Sequence, residues 1–244
     1  YNPSDPKSSM LRFHTQVAGV SLTAQQPLNN ISRVTIQALA AVCGGTQSLH
    51  TNSYDEAIGL PTEESVTVAL RTQQIVAEES GVASVVDPMG GSWLIESLTK
   101  NIKEEARREI ANIDALSGAL KAIEDGYQQR AIHDSAWQHQ QDVETGRRKI
   151  VGLNHGLDDK EISPLAQVID PEVAIRQVTR LSDMREARDS ASADAALEAI
   201  GKAASEDENL FPHVLHAVKC ECSLGEIIIA MKKIFGSYQA PSGF

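Results

Sequence analysis

The residues best suited to chemistry in this 244-residue sequence are polar but mostly neutral, and they sit in and around two short segments. In MLRFHTQVAG (10–19), His14 and Gln16 alternate with apolar neighbours. In SLHTN (48–52), His50 and Asn52 do the same. A strand sends alternate side chains to one face, so each pair shares a face. Were the strands part of a barrel, that face would point either to the axis or to the covering helices. For such a histidine, a hydrogen bond to backbone is a commoner outcome than a substrate contact. Gln47, just ahead of the second segment, can both donate and accept hydrogen bonds. Gly44 and Gly45 before it read as a helix C-cap. Asp87, in VDPMGG, can start a turn or offer a carboxylate to ligand hydroxyls. No general acid–base pair, serine triad or phosphate-cradling glycine loop stands out. Glu63-Glu64 and Glu78-Glu79 bracket a helix as first-turn or surface charge, and Asp158, Asp159 and Glu161 make a weak metal site at best. No metal site is expected.

The elements that position these residues come in two parts. The strand at 10–19 is followed by a helix capped by Asn29 or Asn30, in which Ile31, Val34, Ile36, Leu39 and Val42 recur at helical spacing. A strand at 48–52 then leads to a helix from 63 to about 80, capped by Thr62. Beyond VDPMGGS the patterns are helical: 93–113, 118–127 and 131–144, then an isolated strand at 149–154 and a loop at 157–165. Four more helices are predicted at 171–190, 193–204, 209–220 and 223–235. The fold class is thus mainly α with a partial α/β portion. Two βα units cannot close a barrel, because their outer strand edges stay unpaired. Either an N-terminal portion has been removed, as the start without Met also suggests, or another polypeptide supplies the remaining strands.

Composition narrows the function classes. A formal net charge of -11 opposes nucleic-acid binding, which needs clustered Lys and Arg. The compact basic groups, Arg107-Arg108 and Arg147-Arg148-Lys149, read as solvated faces. Cys43, Cys220 and Cys222 form no zinc pattern and read as thiols of a reducing cytoplasm. No stretch has the length and apolarity of a membrane span, and the first residues do not resemble a signal peptide.

Three long stretches in the first third, RFHTQVAGVSLTAQQPLNNISR, GGTQSLHTNSYDEAIGLPTEES and ESGVASVVDPMGGSW, resemble the end of the catalytic barrel of the methylmalonyl-CoA mutase family, large subunit. Further on, VETGRRKIVGLN is similar to the segment joining that barrel to its helical extension, and SLGEIIIAMKKIFGSY to the last helix and tail. The resemblance implies an isomerase that uses adenosylcobalamin to rearrange the carbon skeleton of an acyl-CoA through radicals. It implies three regions: 1–91, the last two βα units of a TIM-type (β/α)8 barrel; 92–156, a helical linker region; and 157–244, a helical C-terminal extension.

By the same resemblance, Gln47 lies near the upper face of the corrin and the adenosyl group, where a residue without a titrating group will not divert a radical. Gly44 and Gly45 would admit the flat ring, and Asp87 would lie near the adenosyl ribose. His14, Gln16, His50 and Asn52 are substrate-channel candidates. The residues that act at the substrate belong to earlier strands, so the catalytic residues are unknown. The family's lower cobalt ligand is a His in Asp-x-His-x-x-Gly. None of His14, His50, His133, His139, His155, His213 and His216 has Asp two positions before it. A small cobalamin-binding subunit is therefore the expected partner, along with the missing N-terminal barrel portion and an acyl-CoA substrate. An inactive isolated chain and an oligomeric assembly are expected. Split enzymes of this kind include methylmalonyl-CoA and 2-hydroxyisobutyryl-CoA mutases, so both substrates stay open. Two further readings stand beside this one. In the first, the chain is a helical interaction or oligomerisation module without activity; in the second, two copies pair their strands across a dimer.

Overall fold

The computed structural model describes residues 2–157 and 168–238, which divide into two compact units. The metal-site residues Asp158, Asp159 and Glu161, and all of the 157–165 loop beyond its first residue, lie outside the described residues.

The first unit opens with β1 (His14–Gln16), α1 (Asn29–Cys43), β2 (Ser48–His50) and α2 (Glu63–Glu78). The strands run parallel, with His14 opposite Ser48, Thr15 opposite Leu49 and Gln16 opposite His50. Parallel neighbours need a crossover, and α1 supplies it. Both strands are shorter than the alternation at 10–19 and 48–52 predicts. A ladder extends only as far as partner groups exist: beyond Val17, whose N–H donates to the His50 carbonyl, Gly19–Ser21 turns into a short 3-10 segment. Leu49 packs with Val17, Leu22 and Val34. On α2, Ser65, Ala69, Thr72 and Val76 form one buried face, and on α1 Asn30, Val34 and Ala38 form the other. Small residues at Ala38, Ser65 and Ala69 let two helices approach closely.

Neither Asn29 nor Asn30 caps α1. The N-cap position is Leu28, without a side-chain bond, while Asn30 is fully buried and bonded elsewhere. Thr62 caps α2 as predicted, its hydroxyl accepting from the Ser65 N–H.

The unit continues with α3 (Trp93–Ala115), α4 (Ala119–Glu124) and α5 (Tyr127–Glu144). Gly118 and Gly126, both at positive φ, cut α4 shorter than the predicted 118–127. The strand expected at 149–154 is a turn with one isolated bridge between Val151 and His155. Asn154 explains the difference: its Oδ1 accepts from the Ile150 N–H, and its Nδ2 donates to the Val143 and Arg148 carbonyls. These bonds hold backbone that a strand would offer to a partner. Gln26, in the loop before α1, and Arg33 of α1 then hold the turn through the Gly156 and Val151 carbonyls.

The second unit contains α6 (Pro171–Ala187), α7 (Ser190–Ser205), α8 (Leu210–Lys219) and α9 (Leu224–Phe235). Asp170, Asp189, Asn209 and Ser223 cap them in turn, the last as a capping box with Glu226. Ala193, Ala196, Ile200, Ala217, Cys222, Ile227 and Ala230 form the core. α6 stops before the predicted residue 190 because Arg188 is extended and forks both guanidinium nitrogens onto Glu226, at 2.9 and 2.6 Å. Among the described residues, no helix is long and apolar enough to cross a membrane.

Candidate functional site

The β1–β2 pair has two unlike faces. Leu49 packs toward Val34 of α1, and the Thr51 hydroxyl donates to the Ala69 carbonyl of α2, so odd-numbered positions face the helices. The even-numbered residues His14, Gln16, Ser48 and His50 lie exposed on the opposite face. Geometry therefore decides what alternation alone leaves open: the polar residues turn away from the helices.

Three of the four residues predicted on this face are tied into place. His14 Nδ1 lies 2.8 Å from Ser48 Oγ, and Gln16 Nε2 donates to Asn52 Oδ1 at 3.1 Å. Asn52, only 2% exposed, returns its own amide to the Val17 carbonyl. Gly19 makes room for it, since a Cβ there would stand 2.8 Å from Asn52 Nδ2. His50 shares the face, opposite Gln16 in register. Gln16, His50 and Asn52 thus cluster at the carboxyl end of the strands.

Gln47, Gly44 and Gly45 gather at the other end. The Gln47 Oε1 accepts the Phe13 N–H at 3.0 Å, which leaves its NH2 for a ligand. It lines a shallow concavity of about 480 Å³ with Arg12, Phe13, His14 and Ser48. Gly44 closes α1 by donating to the Ala40 carbonyl, and Gly45 turns the chain at φ 78° with open space where a Cβ would stand. Asp87 belongs to neither group. It sits at positive φ in a turn whose Gly90 N–H donates to its carbonyl, and a Cβ on Gly90 would collide with its carboxylate at 2.6 Å.

Sequence reasoning missed two residues that shape this region. Asn30 accepts from the Thr23 N–H and Arg33, and donates to the Thr23 and Tyr54 carbonyls, stitching α1 to both βα loops. Asp55, 3% exposed, accepts the Thr62 N–H and organises the loop after β2. Beside it the Tyr54 phenol is pushed up by burial and then by the charges of Glu64 and Asp55, against an opposing hydrogen bond with Thr62.

A sequence model of the family described as methylmalonyl-CoA mutase matches residues 1–237, nearly the whole chain. The chain belongs to the methylmalonyl-CoA mutase family. It is 44% identical over 243 residues to the methylmalonyl-CoA mutase of Escherichia coli, an alignment covering 99% of this chain and 34% of that protein. To the mitochondrial methylmalonyl-CoA mutase of Bos taurus it is 43% identical over 240 residues, 98% of this chain and 32% of the relative. A probable mitochondrial methylmalonyl-CoA mutase of Caenorhabditis elegans gives 43% over 241 residues, again 98% and 32%. The chain thus spans about a third of the length of these mutase-family relatives.

Proposed function

We propose that the chain is part of the large subunit of an adenosylcobalamin-dependent acyl-CoA mutase, an isomerase of the methylmalonyl-CoA/succinyl-CoA type working in the cytoplasm. The single observation that carries this reading is the unbroken family match over residues 1–237. In it, β1 and β2 are the seventh and eighth strands of a (β/α)8 barrel, residues 92–156 link the barrel to a helical extension, and the first six strands come from an N-terminal portion. Parallel pairing through a helical crossover suits such a barrel segment.

The residues present fit a shared cofactor site better than a complete one. Gly45 leaves open space beside the backbone, and the Gln47 NH2 is available to a planar partner. None of the seven histidines has Asp two positions before it, so a small cobalamin-binding subunit is proposed to bring the cobalt ligand. The bound cofactor would supply the radical that begins the rearrangement. This chain's own residues would orient and exclude water. Gly44, Gly45 and Gln47 are proposed to approach the ring and Asp87 the ribose. His14, Gln16, His50 and Asn52 would line the acyl-CoA channel. Barrel enzymes work at the carboxyl ends of their strands, where Gln16, His50 and Asn52 lie, so the amino-end position of Gln47 weighs against its approach to the ring.

The test is reconstitution. The chain is co-produced with the missing barrel portion and a small cobalamin-binding subunit, and methylmalonyl-CoA and 2-hydroxyisobutyryl-CoA are offered as substrates. Turnover should appear only in the assembly, in which Gln47→Ala and Gln16→Ala rank the two ends of the strand pair. Turnover by the isolated chain, or tight stoichiometric cofactor binding to it, would count against the proposal.

A further inference from the structure

His216 and Cys220 stand one turn apart at the carboxyl end of α8, and His216 Nε2 lies 3.7 Å from Cys220 Sγ. Cys220 is the C-cap, and its backbone N–H donates to the His216 carbonyl at 3.0 Å, so the helical turn itself fixes the spacing. Both residues reach solvent. His216 is exposed, and Cys220 is half-buried, packed on one side against the core of the helical unit. A thiol is a weak hydrogen-bond partner, and among the described residues neither side chain makes another hydrogen bond. Two strong metal-ligand atoms are thus held side by side, with little binding them to each other.

The spacing selects the ion. Zinc sits about 2.3 Å from a thiolate sulfur and about 2.0–2.1 Å from an imidazole nitrogen, so at a tetrahedral angle the two ligand atoms stand about 3.5 Å apart. A linear two-coordinate ion such as copper(I) would spread bonds of those lengths to about 4.4 Å. The observed 3.7 Å falls near the tetrahedral value. Magnesium and calcium take oxygen ligands, which this pair does not offer. The last turn of α8 also carries the negative end of the helix dipole, which favours a cation and opposes a free thiolate. Flanking Lys219 and Glu221 are of opposite charge. Among the described residues no third His, Cys, Asp or Glu completes a set. Cys222 donates its thiol to the Ala193 carbonyl instead, and Cys43 belongs to α1. We propose that His216 and Cys220 form a two-residue chelate for a zinc-class divalent cation, with water in the two remaining positions. The ion bonds to Nε2 of the neutral imidazole and to Sγ, whose proton leaves to solvent. The inference stands apart from the mutase reading.

The test titrates cobalt(II) into the reduced 244-residue chain, because its thiolate charge-transfer and ligand-field absorption report coordination directly, and then displaces it with zinc(II). The expected result is one saturable ion per chain with a thiolate band, which zinc removes and a large excess of magnesium leaves in place. Zinc should also shift the ring resonances of His216 and not those of His139. Cys220→Ser should abolish the band and weaken zinc binding at least about tenfold. Should that variant loosen the core that Cys220 touches, His216→Ala changes an exposed residue and should weaken binding of both ions by about the same factor, with helix content unchanged. Cys43→Ala is the control and should bind as the parent does. A band that does not saturate, survives Cys220→Ser, yields to magnesium or disappears in Cys43→Ala overturns the proposal, as does unchanged affinity in His216→Ala.

Discussion

Between positions 193 and 230 the buried side chains are alanines, Ile200, Ile227 and Cys222, whereas between 17 and 76 Thr23, Asn30, Thr51, Asn52, Ser53, Asp55, Ser65 and Thr72 are buried among the apolar residues. Apolar burial has no direction and completes itself wherever surfaces meet. Polar burial holds only if each donor finds its acceptor, so it fixes geometry more tightly than it adds stability. The interior of the helical unit is apolar throughout, although Phe211, Leu224, Ile228 and Ile229 stay on its exposed surface. The βα pair instead spends its interior on holding loops in place, and it keeps Ile36, Val66, Leu70 and Ile75 on the exposed sides of α1 and α2. That pattern suits a segment built to be continued by neighbouring strands and helices.

Both tryptophans, Trp93 and Trp137, belong to the first unit, so their fluorescence reports it alone while far-UV circular dichroism reports both. The largest effect is expected from Ile200→Ala, which opens a cavity in a core whose other fully buried members, Ile227 apart, are small, and should cost about 4 kcal/mol. The dichroism transition should split, its early part moving to lower denaturant while tryptophan fluorescence stays put. A joint shift of both signals would break the division into separately stabilised regions.

Next comes the ion pair that holds the end of α6 to the start of α9. Arg188→Met should cost about 2–3 kcal/mol, somewhat below a fully buried pair because Glu226 keeps 19% of its side-chain surface exposed. The Glu226 carboxyl lies well below the usual carboxylate range, held there by hydrogen bonds from Arg188 first and Ser223 next, against burial. A lowered folded value stabilises the unit above the unfolded value of about 4.5, and this contribution drains away as pH falls below it. Acid titration followed by dichroism should show that loss in the parent chain and a shallower one in Arg188→Met.

The helical unit was legible in sequence because apolar spacing is a local signal, but the cap Asp189 was missed: the reading carried one helix to 190 and began the next at 193, whereas Asp189 caps Ser190–Ser205. The βα order was legible for the same reason. Strand length was not, since it depends on a partner rather than on alternation. Asn30 was hidden by its neighbour: two asparagines before an apolar helix look like a cap, and only the folded loops bring Thr23 and Tyr54 to its amide. Asp55 was invisible because the loop that buries it has no periodicity. The placement of Gln47 was within reach, since a residue that precedes a strand lies at its amino end, opposite Gln16, His50 and Asn52.

Asn30→Ala strips four hydrogen bonds from a fully buried site and leaves the Thr23 N–H and the Thr23 and Tyr54 carbonyls unanswered. A loss of about 2 kcal/mol is expected, seen in tryptophan fluorescence and not in the helical unit. If the polar interior mainly fixes geometry, hydrogen exchange should also quicken at Thr23 and across the loop after β2.

The smallest effect sharpens the contrast most, because it can be measured at matching positions in both regions. Thr62→Ala removes the hydroxyl that accepts the Ser65 N–H at the start of α2, and Ser223→Ala removes the corresponding cap of α9. Caps of this kind are each worth about 1 kcal/mol. Ser223 also donates to Glu226 inside the Arg188 network, so its loss should exceed that of Thr62 and grow in Glu226-ionising conditions. Thr62 keeps its backbone N–H on Asp55 after the substitution, so α2 should still start at the same residue. Equal losses at the two caps would mean that the charged network adds nothing beyond capping. A larger loss at Thr62 would mean that the loop around Asp55, and not the helical core, is the more cooperative part of the molecule.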